Sequence, residues 1–362
     1  MEWQSMCYEK KRVHHQLVEM KKDIKEIDLQ NYYLPTLKPL DLLENMQTLY
    51  FNSNHLLDQK ELAMFPQLEN LYLSNNALDS LDYFPEMNNL KMLSMANDGL
   101  KNVKQLKNAP NLMYLDLTEN RQLDMKTIPV LKKLSSLSLN NDYINDYTPL
   151  TKLPALKELN LSGAIVNNKG IPVLPTLERL NLQNNNISAS DTILFTRLKS
   201  YRALNYLNIA DNALGDLFLL TTFFPEHKTW HSTEKNTPLF ESLRSLDISR
   251  NFIHNLYDLY LYPNLEELYL TGNEVTSVAS IELLTKLKVL HMDSCSLRDI
   301  HFLSKLTALE NLSLYGNTIS DYTPLYKLKS LKILTLDSIS QQLMDKLKKE
   351  LPNTKINAVV IK

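Results

Sequence analysis

Apolar residues recur along this chain in a single arrangement, L-x-x-L-x-L-x-x-N-x-L, an eleven-residue block with aliphatic residues at positions 1, 4, 6 and 11. The block starts at 24, 46, 68, 90, 112, 134, 156, 177, 204, 243, 265, 287, 309 and 331, which makes fourteen copies. Eleven of the thirteen spacings between starts are 22 or 21 residues, and the two exceptions, 27 and 39, mark insertions. Chance does not keep such a register from end to end, so the chain is read as an array of repeats.

Leu68 to Leu78 (LENLYLSNNAL), Leu265 to Val275 (LEELYLTGNEV) and Leu309 to Ile319 (LENLSLYGNTI) are the clearest copies. Their central alternation has the period of a strand, which turns the leucines inward and the third, fifth and seventh residues outward. Each copy therefore predicts one short strand, a turn and a return segment. The ninth position is asparagine in eight copies: Asn54, Asn76, Asn120, Asn185, Asn212, Asn251, Asn273 and Asn317. A side-chain amide donates and accepts at once, which suits a ladder satisfying backbone groups of successive turns. Cys295 takes the same position and is expected to be a small buried ladder residue rather than a reactive thiol. Asp98 and Asp142 are tolerable variants of it, and Tyr32, Ala164 and Ile339 are departures.

One repeat cannot bury its own leucines, so an open array needs covered ends. Val13, Leu17, Met20 and Ile24 recur at helical spacing and predict a capping helix over residues 1–23. Residues 24–339 form the repeats, with the larger insertion at about 215–240. Residues 340–362 form a second cap: Ser340 as N-cap, Leu343, Leu347 and Leu351 on one helix face, Pro352 as the stop, and a last strand within Ile356 to Ile361.

Composition supports a repeat, with 72 Leu and 36 Asn against only 6 Gly. A net charge of -2 gives no sign of a polyanion-binding protein, so nucleic acid is not an expected partner. No stretch is apolar for long enough to span a membrane, and residues 1–22 lack the apolar core of a secretory signal. Cytoplasmic residence, or export as an effector without a classical signal peptide, is the expectation. Cys7 and Cys295 cannot make a disulfide framework.

On these motifs the chain resembles the leucine-rich repeat superfamily, specifically the 22-residue class shared by bacterial internalin-like proteins and eukaryotic phosphatase-regulating relatives. The resemblance covers about residues 24–340. The return segments Ile144 to Leu153 (INDYTPLTKL) and Ile319 to Leu328 (ISDYTPLYKL) look like the internalin-type return. It implies an α/β repeat fold: a curved right-handed solenoid with a parallel sheet on its concave face, helically capped at the N-terminus and closed by helix and strand at the C-terminus. The function it implies is a non-enzymatic scaffold for protein–protein interaction, expected as a monomer and without cofactor. The eukaryotic side implies an alternative, a regulatory subunit gripping a phosphatase or another enzyme.

Searches for a phosphate loop, a C-x-x-C pair, a nucleophile elbow and H-E-x-x-H find none, so no catalytic residue is assigned. His227 and His231, flanked by Glu226 and Glu234, have a spacing that could hold zinc only on a helix, and solvated loop histidines are the more economical reading. The insertion around them carries Phe218, Phe223, Phe224, Trp230 and Phe240; Phe218, Phe223 and Phe224 are expected to seal a neighbouring repeat, with Trp230 and His231 at the tip as partner contacts. Outward strand positions supply the remaining candidate contacts. Tyr50 and Tyr72 fall on successive strands, roughly 5 Å apart. Tyr206, Asp247, Glu267, Tyr269, His291, Asp293 and Tyr315 put aromatic and acidic groups on five consecutive strands, the composition of an interface centre. Ser136, Ser138, Asn140, Asn160 and Ser162 give the middle strands an inert polar surface.

Overall fold

The computed structural model describes residues 24–361 apart from 142, 145, 167–169, 189, 199, 216–240 and 279. The N-terminal helix expected over 1–23, the aromatic insertion with Trp230, His231 and His227, and Asp142 lie outside the described residues. Those described fall into two compact units that divide between Ala164 and Ile165.

In the first unit every copy of the pattern makes a three-residue strand: β1 (Glu26–Asp28), β2 (Thr48–Tyr50), β3 (Asn70–Tyr72), β4 (Met92–Ser94), β5 (Tyr114–Asp116), β6 (Ser136–Ser138) and β7 (Glu158–Asn160). Neighbours pair in parallel with a register of one repeat, so Ile27, Leu49, Leu71, Leu93, Leu115, Leu137 and Leu159 stand in one inward column. The second unit continues the scheme with β8 (Arg179–Asn181), β9 (Tyr206–Asn208), β10 (Ser245–Asp247), β11 (Glu267–Tyr269), β12 (Val289–His291), β13 (Asn311–Ser313) and β14 (Ile333–Thr335). Its inward column runs Leu180, Leu207, Leu246, Leu268, Leu290, Leu312 and Leu334. The leucines of both columns are buried. Burying each stabilises its neighbours by roughly 1.5 to 3 kcal/mol.

Asparagine at the ninth position works as a ladder. In Asn76 the amide Nδ2 donates to Phe51 O of the preceding repeat at 2.9 Å and to Leu73 O of its own at 2.5 Å. The carbonyl side accepts backwards: Asn273 Oδ1 takes the N–H of Asn251 at 2.9 Å and of Ile253 at 3.1 Å. One side chain thus satisfies four buried backbone groups in two repeats, which explains why so many are spent here. Cys295 fits the ladder as expected: it is buried and its Sγ donates to Leu270 O at 3.2 Å. Asp98 holds a rung with Oδ1 accepting from Asn76 N at 2.5 Å, while its buried Oδ2 has no hydrogen-bond partner among the described residues. Of the departures, Ala164 and Ile339 are buried and Tyr32 is exposed.

In every copy but the last the chain leaves the strand through an eighth residue in the left-handed region, with φ between 51° and 72° at Asn75, Asn97, Glu119, Asn184, Asp211, Arg250 and Gly272 among others. Gly272 is glycine for a second reason: a Cβ there would lie 2.9 Å from Arg250 Cγ, so its absence gives the arginine stem room to lie back along the strand tops.

Return segments are mostly short 3-10 helices, including Thr148–Lys152 and Thr323–Lys327. In both, a proline opens the first turn, and the aspartate two residues before the helix (Asp146, Asp321) accepts the N–H of its first threonine at 2.9 Å. The recurrent Asp and Pro of the two D-Y-T-P stretches are therefore a local cap. The copy with a 27-residue spacing spends its extra residues on a true helix, α1 (Thr192–Leu198), which buries Leu194, Phe195 and Leu198. Behind it the Tyr201 hydroxyl donates to Pro172 O at 2.9 Å.

At the C-terminal end Ser340 Oγ accepts from Leu343 N at 3.2 Å and caps α2 (Gln341–Glu350). The buried residues of this helix are Met344 and Leu347; Leu343, expected on that face, is only half buried. An i, i+3 step from Met344 to Leu347 followed by Leu351 meets the core better than strict i, i+4. The expected last strand is two: β16 (Lys355–Asn357) extends the sheet beyond β14, and β17 (Val360–Ile361) pairs with β15 (Ile339–Ser340). No helix among the described residues is long and apolar enough to cross a membrane.

Candidate functional site

Because inward positions are filled by leucine, what each strand can offer a ligand is its third, fifth and seventh residue. On β2 and β3 these include Tyr50 and Tyr72, whose rings stack with centroids 4.6 Å apart and planes 14° from parallel. The Tyr72 hydroxyl also donates to Met92 Sδ at 2.7 Å, and burial, with Tyr50 and Glu26 nearby, holds its pKa above the usual value. This pair is engaged with itself and, through Met92, with β4.

The larger patch lies on β9 to β13. Tyr206 opens it, its ring covered by the Arg179 guanidinium 4.0 Å from the centroid. Tyr269 follows on β11, with the His291 ring against it edge-to-face at 5.1 Å and 81°. Burial, reinforced by the negative charges of Glu267 and Asp247, pushes the Tyr269 hydroxyl above its ordinary pKa, so it stays a neutral donor. Nε2 of His291 is buried with no hydrogen-bond partner among the described residues. Tyr315 closes the patch and is 52% exposed.

The acids between these rings are held by neutral donors. Asp247 accepts from Ser249 N at 3.0 Å, Glu267 from Ser245 Oγ at 2.8 Å, and Asp293 from Ser313 Oγ at 2.5 Å and Tyr315 N at 2.7 Å. Beside them Arg250 grips Asp211 with both arms of its guanidinium, and Gln183 donates to the same carboxylate at 2.7 Å. The Arg250 hydrogen bonds hold the Asp211 carboxyl below the usual range.

Of the expected contact residues, Tyr206, Asp247, Glu267, Tyr269, His291, Asp293 and Tyr315 occupy one sheet face of the second unit, Tyr50 and Tyr72 make a separate stack in the first, and Trp230 and His231 lie outside the described residues. Sequence reasoning missed Arg179 and the Arg250–Asp211 pair. Arg179 sits at a third position, one strand before Tyr206, so the same positional rule could have found it.

Fourteen copies in register, parallel one-repeat pairing and the asparagine ladder decide the fold. It is that of the leucine-rich repeat proteins. Solved structures similar to this one include a leucine-rich repeat protein of Leptospira interrogans, 23% identical with a TM-score of 0.60 over 95% of this chain and 98% of that one. An internalin of Listeria monocytogenes is 21% identical, with a TM-score of 0.56 over 94% and 84%. The TLR13 chain of a TLR13–ssRNA13 complex gives 21% and 0.51 over 89% of this chain and 58% of that one. No family model matches the sequence, and neither does any curated protein.

Among the described residues, no group of three or more His, Cys, Asp or Glu is placed to hold a metal ion. At Cys295 burial pushes the thiol up to about 11, so a thiol rather than a thiolate stands there at neutral pH. With Cys7 replaced by serine, Cys295 should resist a soluble disulfide reagent at pH 8 in the native protein and react fully once the chain is unfolded. Fast native labelling would contradict its place in the ladder.

Proposed function

We propose that this leucine-rich repeat chain is a non-enzymatic scaffold of a bacterial protein, docking a protein partner on the β9 to β13 face. Leucine-rich repeat proteins as a class serve as binding scaffolds, and two of the similar structures are bacterial. The observation that carries the reading is the continuous aromatic and acidic face of five adjacent strands, from Tyr206 to Tyr315, on a backbone fixed by ladder hydrogen bonds. Docking there orders few groups anew, so little of the contact energy is lost to conformational entropy. Tyrosine adds area at two rotatable bonds per residue and keeps a polar tip for a partner's backbone. The RNA carried by the TLR13 complex does not transfer to this face: β10 to β12 present Asp247, Glu267 and Asp293, which repel a phosphate backbone.

The test is affinity capture with cross-linking from the source cell and from the cells it encounters. Four proteins are compared: the unaltered chain, Y206A/Y269A/Y315A, Y50A/Y72A, and a chain lacking residues 228–236. A partner held by the unaltered chain should be lost with the triple variant, because centrally placed tyrosines of such faces each cost more than about 1 kcal/mol when truncated. Capture that survives the triple variant and fails with the deletion would move the contact to the insertion and sink this reading.

A further inference from the structure

Two kinds of acid stand on the strands of the second unit, and they are treated differently. At the second position of successive copies Arg244, Glu266, Lys288, Glu310 and Lys332 alternate in sign. Glu266 meets Lys288 at 2.6 Å and Arg244 at 3.8 Å, and Glu310 meets Lys332 at 2.5 Å. At the outward positions of the same copies Asp247, Glu267 and Asp293 form no ion pair with any described residue. They are anchored by serine hydroxyls and backbone N–H groups, and the second oxygens of Asp247 and Asp293 take no hydrogen bond from the described residues.

Two cations come near without joining them: Arg250, whose guanidinium is committed to Asp211, and Lys288, committed to Glu266. A chain that pairs its acids so regularly at the second position leaves one acid unpaired at an outward position of each of three successive copies, the fifth at Asp247, the third at Glu267 and the seventh at Asp293. The surrounding rings are of the kind that accept cations. On the neighbouring strand the molecule already lays its own Arg179 over Tyr206.

We propose that the β9 to β13 face receives an extended, arginine-bearing segment of a partner protein, its guanidinium groups set against Asp247, Glu267 and Asp293 and over the rings of Tyr269 and Tyr315. This rests on the docking reading above and adds the chemistry of the partner. Arginine suits the site better than lysine because its planar fork bonds a carboxylate with two N–H groups while its face lies on an aromatic ring. At about 4.8 Å between strands, an extended segment of roughly six residues crosses from β9 to β13.

The probe is an acetylated, amidated peptide, Gly-Arg-Gly-Arg-Gly-Arg-Gly, titrated into the whole protein at low salt by calorimetry. Its counterpart with citrulline in place of arginine has the same shape without the charge. Binding of the arginine peptide should weaken at least about ten-fold in D247N/E267Q/D293N, and the citrulline peptide should bind the unaltered protein equally poorly. A second triple variant, E274Q/E282Q/D299N, removes the same net charge from exposed positions off this face and should bind like the unaltered protein. Melting curves of both variants establish that they fold.

No heat with the arginine peptide, equal binding of the citrulline peptide, or equal loss in the two triple variants would each overturn the proposal. The two readings can fail separately. A captured partner that is lost with Y206A/Y269A/Y315A but kept by D247N/E267Q/D293N leaves the docking face standing and refutes the basic partner.

Discussion

Replacing Asp98 with asparagine should stabilise the first unit at pH 8 by about 2 to 4 kcal/mol and do almost nothing at pH 4. Asp98 is a rung of the ladder between Asn76 and Asn120, fully buried, and its Oδ2 occupies the place where an asparagine rung carries the donating Nδ2. In Asn76 that nitrogen serves two carbonyl oxygens and in Asn120 three. A carboxylate oxygen there serves none. Burial accordingly pushes the carboxyl up to about 7 from 3.8, against the lowering effect of the N–H groups of residues 76 to 78.

The folded state therefore holds a proton that the unfolded state has already released between about pH 4 and pH 7. Stability must fall as pH rises through that window and level off above it. The Asp98→Asn protein would carry no such dependence, because its amide donates at every pH where the carboxyl can donate only when protonated. Urea unfolding of both proteins at pH 4, 6 and 8, followed by far-ultraviolet circular dichroism, measures the difference. A stability difference that does not change with pH would show that Asp98 is not protonated in the folded chain.

Leu312→Asp should abolish cooperative folding of the second unit, whereas Asn311→Asp, one residue away, should shift stability by less than about 0.5 kcal/mol. Leu312 lies at the centre of β13, fully buried between Leu290 and Leu334 in the inward column, and a carboxylate there has neither partner nor water. Its cost exceeds about 4 kcal/mol, and in a repeat array such a loss spreads to the neighbours that rely on the same interface. Asn311 points to the opposite side and is half buried. The contrast between adjacent positions, read from thermal melts, isolates the alternation of the strand. Similar melts for the two variants would refute the register.

How much of this was legible in the sequence follows from which residues the physics constrains. The inward leucines and the ladder asparagines have one job and few substitutes, so strand positions, register and the buried Cys295 could be read directly. The eighth position escaped notice because Asn, Ser, Glu, Asp, Arg and Gly all adopt its left-handed turn here, and no single residue type announces it. In the C-terminal helix both Leu343 and Met344 are apolar, and only the meeting of helix and core decides between them. On the candidate face, outward positions told which residues share a surface. They did not tell which are already engaged: the stack of Tyr50 on Tyr72, the Arg179 cover over Tyr206 and the grip of Arg250 on Asp211 depend on side-chain angles that pattern does not encode.

The alternating second-position charges have a consequence for how such an array can change its length. Each exposed pair is worth at most about 1 kcal/mol, too little to hold the fold. Their order nevertheless makes odd and even repeats inequivalent: removing the copy that carries Glu266 would set Arg244 beside Lys288, while removing that copy and the next would set Arg244 beside Glu310. Within this stretch, growth or loss by duplication is easiest in pairs, and a strand that slips by one repeat during folding meets like charge where it should meet its opposite.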